Sequence, residues 1–477
     1  MRIDILFVNP PSPDGSIIIR DVNRSGRKTR ERMIWPQTNL AYLAALVRNK
    51  YNVEIIDAIA DNISWPVFRE LLLKKNPRYV VSNVISTTLT NDVYTMYLAK
   101  SLGCTTIGMG PHLTDQSVES LKRFPSLDII IRGEPEVTFH EVIEALEHEG
   151  ALECVQGIAY RKGTSIEINE ERPFIENLDD LPMPAHDLLP LNKYRMPFFG
   201  KYTFIVAGRG CPYKCIFCRQ NVMWKSVVRM RSAESLLNEV QYLLGLGVSN
   251  IMFQADTFTA NRQMVKDLCR GILENNIKFK WACNTHIATI DKEMVILMKK
   301  AGCWMIAPGI ESCCNDVLRN IGKKITVEKI FNVVNMIHSA GIEVWGYFVY
   351  GLPGDTKESL EENTRCALQL PLDIANFAVA APYPGTPFFY QAKERKWLLS
   401  TVWEDYDQNY SAIVDYGYLG PKEIIKAIKK ANLKFYSRPR QVYRLIKEVL
   451  KDMTMIKSII NIAKEHLAWI LNASKQK

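Results

Sequence analysis

The chain has 477 residues, 47% apolar and 23% charged, proportions of an ordinary globular protein that exclude a disordered or fibrous polymer. No uncharged run approaches the roughly 18 to 20 residues that span a bilayer, and the opening MRIDILFVNPP is too short for a secretory core and lacks a cleavage site. The net charge of +9 belongs to the tail: from Pro421 onward there are fourteen Lys or Arg against four Asp or Glu, and before it 46 against 47.

These features predict a cytoplasmic protein of two or three domains. Its eleven cysteines then read as metal ligands or buried small residues rather than disulfides, because cytoplasmic thiols stay reduced.

Over residues 1–150 short apolar runs alternate with amphipathic stretches. The runs are 3–9, 53–58, 78–85, 104–110 and 127–133, with helical patterns such as TNLAYLAALVRN between them. Strand alternating with helix predicts a parallel, doubly wound sheet. Ligands of such sheets sit beyond the carboxyl ends of the strands, so the loops at Asn9-Pro10-Pro11, Asp57, Ser86-Thr87-Thr88, Gly110-Pro111-His112 and Gly133-Glu134-Pro135 are the places to watch.

Residues 151–200, with prolines at 182, 184 and 190, read as a linker between domains. Six further strand-like runs follow at 202–208, 250–254, 279–284, 304–310, 343–351 and 374–380. With helical stretches between them they predict a partial barrel of βα units over 201–395, whose chemistry lies at the strand tops. Residues 396–477 form an aromatic loop and then basic helices.

The first barrel run leads directly into GRGCPYKCIFCRQ, with Cys211, Cys215 and Cys218 in one exposed loop. A closed structural zinc site wants four ligands, usually in two pairs, and no second pair lies nearby. Cysteines also hold iron–sulfur cubanes, and three ligands for four irons leave one iron open to bind another molecule.

CPYKCIFC resembles the C-x-x-x-C-x-x-C signature of the radical S-adenosylmethionine (SAM) superfamily. The resemblance implies that Cys211, Cys215 and Cys218 hold a [4Fe-4S] cluster whose open iron takes SAM. It further implies reductive cleavage to a 5′-deoxyadenosyl radical, with an external one-electron reductant of flavodoxin or ferredoxin type. Phe217 is similar to the family aromatic near the adenine.

Later segments extend the likeness. NIMFQADTFTANRQ is similar to the second-strand motif and carries over Asp256, with Ala255 in place of a first acid. APGIESCCNDVLRNIGKK resembles the fourth-strand segment, which implies Glu311 by the SAM ribose with Ser312 beside it, although Ala307-Pro308 replace the usual aromatic-Gly. WGYFVYGLPGDTKES implies Gly346, Gly351 and Pro353 beneath the adenine. His286 stands where many relatives have Arg.

The first domain resembles the cobalamin-binding branch of the superfamily, through WPQTNLAYLAAL, GMGPHLT and RGEPEVTF. The implied fold is α/β: a Rossmann-like cobalamin domain, a partial (β/α)6 radical SAM barrel and a C-terminal helical region. Cobalamin contacts fall on Ser86, Thr87, Thr88, Gly108, Gly110, Gly133 and Glu134. The D-x-H-x-x-G pattern that gives cobalt a lower histidine is absent, so His112 reads as structural.

The implied reaction is hydrogen abstraction from an unactivated carbon followed by methyl transfer from methylcobalamin, on a small-molecule or lipid substrate. Ring cyclisation or rearrangement on the same scaffold is the alternative, and a zinc-braced nucleic-acid protein is a rival of another class. The tail pattern, with Ile424, Ile425, Ile428, Leu433, Val442, Leu445, Ile446, Val449 and Leu450 among cations, fits a lid helix on the barrel. It equally fits a peripheral contact with the inner face of the membrane. Nucleic acid ranks last, since no recognised module accompanies the charge.

Overall fold

The apolar runs of the first domain become strands β1 (Ile5–Asn9), β2 (Val53–Asp57), β3 (Tyr79–Asn83), β4 (Thr105–Met109) and β5 (Ile129–Ile131). The structure, a computed structural model, describes residues 3–21, 24–29, 32–148, 150–196 and 200–451. The five strands are parallel, and β6 (Ile158–Lys162) and β7 (Ser165–Ile168) extend the sheet antiparallel, in the order β2-β1-β3-β4-β5-β6-β7. The order reverses between β1 and β3, and that switch point opens a crevice for a ligand.

The β6–β7 hairpin corrects the linker expected over 151–200. Its strands are short, and β7 is half exposed at the sheet edge, so the alternation is too weak to announce itself. A second unforeseen element is the ribbon Ile18–Asp21 with Arg24–Lys28.

The second sheet is all parallel and strictly sequential: β8 (Thr203–Val206), β9 (Asn250–Gln254), β10 (Lys280–His286), β11 (Cys303–Glu311), β12 (Glu343–Tyr350) and β13 (Ile374–Val379). Its helices start where side chains cap free backbone N–H groups. Ser232, Asn261, Asp291, Thr326 and Thr356 each accept from the residue three places on, a local signal worth about 1 kcal/mol per cap.

Both faces of this sheet are buried, as parallel strands require. Ile205, Phe253, Cys283 and Ile306 enter the core beneath the helices. Their neighbours Phe204, Met252, Ala282 and Met305 enter a second core with Phe7, Val81 and Ile107 of the first sheet and Tyr194 of the connector. Barrel and first domain thus share one apolar interior.

The first tail helix, Pro421–Tyr436, docks on the barrel through Ile424, Ile428, Ala431 and Phe435, all buried. The lid arrangement therefore removes this face from any membrane. Gly351 makes the dock possible: a β-carbon there would lie 2.7 Å from Ile424 Cδ1. Shortening Ile424 to valine should cost about 1 kcal/mol, the usual loss for one buried methyl, read as a lower urea midpoint with unchanged slope.

The next helix, Pro439–Lys451, pairs Arg440 with Asp373 at 2.9 Å and Arg444 with Glu343. Val442, Tyr443 and Ile446 on it are exposed. The side chains of Leu445, Val449 and Leu450, and all residues beyond 451, lie outside the described residues. No described helix is long and apolar enough to cross a membrane.

One cysteine expectation is overturned: Cys313 and Cys366 form a disulfide. Both are buried, 53 positions apart in the chain and 6.3 Å apart between Cα atoms, a proximity created by packing helix Lys357–Gln369 beside the end of β11.

Candidate functional site

The cysteine loop leaves the top of β8 and folds back along Arg229–Met230. Two glycines enforce the path. At Gly208 a β-carbon would lie 2.2 Å from Met230 Sδ, and at Gly210, where φ is +88°, it would lie 1.8 Å from the Val227 carbonyl oxygen. No L side chain fits there.

Three barrel loops then fasten the turn. Asp256 Oδ2 accepts from Gly210 N–H at 2.6 Å, and the Thr257 hydroxyl lies 3.2 Å from Cys211 Sγ. Ile216 donates its N–H to Ile321 and accepts at its carbonyl from Phe388 N–H, each at 3.0 Å. Asp256, assigned to cofactor by resemblance, is thereby a brace of the loop itself.

None of the three thiols is in a disulfide. Burial pushes the Cys215 thiol up to about 11 and raises Cys218 further, so a metal must replace protons to bind. Among the described residues no three His, Cys, Asp or Glu side chains converge on one point as ligands of a single ion do. Three thiols in one loop are one short of the four ligands of a closed zinc site, whereas cubane thiolates go to separate irons; the donor set fits a cluster better than a zinc brace.

Around the loop stand His286, Tyr213, Lys323 and Glu311. The His286 ring stacks on Tyr213 with centroids 3.6 Å apart and planes 11° apart. Its Nδ1 accepts from Ala288 N–H at 3.2 Å, which leaves the proton on a buried Nε2 with no partner among the described residues. Glu311, at φ +65° on the end of β11, accepts from buried Lys323 at 2.8 Å.

The other SAM-side assignments have internal partners. Ser312 is fully buried, donating to Asn363 at 3.2 Å and accepting from Cys314 N–H. Gly346 leaves room for Leu372 and Ile310, and Gly351 for Ile424. Phe217 packs half-buried against the barrel core.

On the first sheet, Ser86–Thr88 forms a short turn after β3. Ser86 Oγ lies 3.0 Å from His112 Nδ1, and the Thr88 hydroxyl donates to Asp92 at 2.8 Å. Gly110, at φ +123°, passes where a β-carbon would sit 2.7 Å from the Val84 carbonyl, and Gly108 admits Leu113. Gly133 borders open space.

Buried Asn83 has both amide atoms, and Thr87 its hydroxyl, without partners among the described residues. Buried polar groups need partners, and the amide-fringed periphery of a corrin both donates and accepts; these residues fit cobalamin. A groove of about 810 Å³ passes over Thr87 and Thr88, walled by Tyr94, Tyr97, Phe124 and Glu404.

His112 is buried against Ser86 and the Trp403 ring, 5.2 Å away. Burial, then Arg219 and Arg123, push its pKa down to about 3. An unfolded histidine takes its proton near pH 6.5, so this stabilisation is complete above about 6.5 and is lost on acidification at about 1.4 kcal/mol per pH unit. A His112→Gln variant should show a stability–pH slope shallower by that amount between pH 6 and 5, measured by urea unfolding.

Several contacts of the site had no signal in the sequence. Glu134 accepts from Arg209 at 2.6 Å, and from Arg229 at 2.7 Å and Ile175 N–H at 2.8 Å on its other oxygen. Arg209 also grips Glu136 at 2.6 Å. The carboxylate expected at the cofactor is thus a buried clamp between domains. Arg20 pairs with Asp92 beneath the switch point, and Arg219, next to Cys218, stands buried beside Ser86.

The family profile of the radical SAM superfamily matches residues 205–367, from β8 through the cysteine loop and the first five strands. An uncharacterized methyltransferase of Pyrococcus horikoshii is 31% identical over 454 residues, covering 94% of this chain and 95% of that protein. An anaerobic magnesium-protoporphyrin IX monomethyl ester cyclase of Cereibacter sphaeroides is 28% identical, covering 76% and 61%.

Among solved structures, the radical SAM methyltransferase TsrM of Kitasatospora setae, with cobalamin and a [4Fe-4S] cluster bound, superposes with a TM-score of 0.67 at 15% identity, over 84% of this chain and 76% of that one. Since the likeness to the archaeal protein runs through both domains, and the profile falls on the barrel that carries the three cysteines, this chain belongs to the radical SAM superfamily and has the fold of its cobalamin-binding members.

Proposed function

We propose that this protein is a cobalamin-dependent radical SAM methyltransferase, with residues 1–168 as the cobalamin domain and 201–395 as the SAM barrel. The observation that carries the reading is the loop of Cys211, Cys215 and Cys218, pinned to three barrel loops and set against the switch point of the first sheet through Arg219 and Ser86. The relatives' methyltransferase names and the TsrM likeness support it.

The three cysteines would hold the cluster, and Asn83, Thr87 and the Gly110 turn the cobalamin. When bound, the cluster supplies the electron that splits SAM into methionine and a 5′-deoxyadenosyl radical, and cobalamin supplies the methyl group. The chain's own part is binding and exclusion. The Glu311–Lys323 pair offers an acceptor and a donor to polar groups of SAM, the free Nε2–H of His286 offers another donor, and Phe217 offers an aromatic face. The segment Trp403–Tyr406 packs on Ser86–Thr88 and shields the crevice from water, which radical chemistry requires.

The test is anaerobic reconstitution with cobalamin, reductant and methyl-labelled SAM, using a lipid-rich metabolite extract as acceptor. Label in the extract together with 5′-deoxyadenosine and S-adenosylhomocysteine is the expected result. Deoxyadenosine without label transfer would favour ring cyclisation, the second reading, which rests on the cyclase likeness. Neither product would overturn both.

A hydrophobic acceptor and a peripheral membrane contact are the finer part of this reading. Exposed Val442, Tyr443 and Ile446 beside Arg440 and Arg444 support the contact, and co-sedimentation with anionic vesicles tests it.

A further inference from the structure

Four buried arginines in and around the crevice each have a carboxylate: Arg20 has Asp92, Arg209 has Glu134 and Glu136, Arg229 has Glu134, and Arg231 has Glu239. Arg219 departs from this pattern. It is 5% exposed, yet among the described residues no acid comes within ion-pair distance of it. Its Nη1 makes one long contact, 3.5 Å to Ser86 Oγ, and its Cζ lies 5.5 Å from the Tyr383 ring centroid. Asp115 acts on it from a distance, while that carboxylate accepts from Gln116.

Nε and Nη2 of Arg219 have no partner among the described residues. These two atoms share one edge of the guanidinium, and their N–H bonds run parallel, at the spacing of two oxygens of a carboxylate or phosphate. A buried guanidinium left with that edge open costs stability unless an anion arrives.

Arg219 also stands between the two candidate cofactor sites. Arg219 follows Cys218 directly, touches Ser86 at the switch point of the first sheet, and faces Tyr383 in the loop after β13. The rings of Tyr383, His112 and Trp403 make the surroundings apolar as well as cationic.

We propose that the Nε–Nη2 edge of Arg219 binds a carboxylate or phosphate of the substrate, so that the acceptor is an anionic molecule with a hydrophobic body. This rests on the cofactor assignment above for its claim to be the substrate's site, whereas the anion binding itself does not depend on turnover.

The test uses protein reconstituted anaerobically with cluster and cobalamin, and octanoate, octyl phosphate and neutral octanol as probes. The thermal midpoint of the parent should rise with one or both anions and not with octanol. Arg219→Met should keep its iron and its cobalamin absorbance and lose the response, with affinity weakened about tenfold or more, as removing charged hydrogen bonds does. Arg219→Lys, which keeps the charge without the parallel edge, should fall between them and serves if the Met variant misfolds.

Equal anion responses in parent and variants would overturn the proposal. So would loss of cobalamin from Arg219→Met, which would assign the edge to the phosphodiester of the cofactor. Octyl phosphate binding without octanoate binding would identify a phosphate-bearing acceptor, and the reverse a carboxylate. Anion binding intact in a protein that never cleaves SAM would leave this site standing and remove the proposed function alone.

Discussion

Replacing Cys215 with alanine is expected to abolish SAM cleavage, lowering 5′-deoxyadenosine formation at least about a thousandfold, or about 4 kcal/mol of barrier. The loop offers three thiols, and among the described residues no His, Cys, Asp or Glu side chains cluster as a ready-made alternative metal site. Cys215 is the middle one, largely buried, with its carbonyl accepting from Cys218 N–H at 3.1 Å. Its loss leaves two ligands for a cubane. Iron and sulfide per chain should fall together with the brown absorbance. Cys269→Ala is the control, because Cys269 is buried in the barrel core away from the loop, and its removal should leave cluster and cleavage in place. A Cys215→Ala protein that cleaves SAM would end the cluster reading.

Glu134→Ala should produce the largest loss of stability, about 3 to 5 kcal/mol, the range seen when one partner of a buried ion pair is removed. The guanidinium of Arg229 would lose its carboxylate, and Arg209 would keep Glu136 alone. Both arginines flank the cysteine loop, so the damage should reach the site: slower cluster incorporation is expected beside the lower urea midpoint. Loss of charge pairing is separable from simple cavity formation. A double change of Glu134 to Leu with Arg229 to Met, which leaves the Arg209–Glu136 pair intact, should recover most of the stability, because apolar groups of similar volume replace a buried ion pair at little cost. Urea unfolding of the three proteins at one pH checks it. Failure of the double variant to recover would mean that packing, not uncompensated charge, is at stake.

The cysteine loop and the six barrel strands were legible because their signals are local. Gly210 must be glycine for its own φ and for the carbonyl beside it, and the strands declare themselves by apolar runs bounded by capped helices. The ion pairs of Glu134 were hidden for the opposite reason: its arginine partners lie 75 and 95 positions away. Ser312 shows the same limit, since its hydroxyl meets Asn363 across 51 positions.

From the chain alone came the order of the parallel strands, the two α/β halves and the three-thiol loop, since periodicity and turn chemistry act between residues a few positions apart. The folded molecule decided what long separations bring together: the Glu134 clamp, the Cys313–Cys366 bond, the tail helix seated in the space Gly351 leaves, and the guanidinium of Arg219 with no carboxylate against it among the described residues. Such pairings depend on where packing stops the chain in space. An arginine against a carboxylate and one against a hydroxyl are spelled with the same letter.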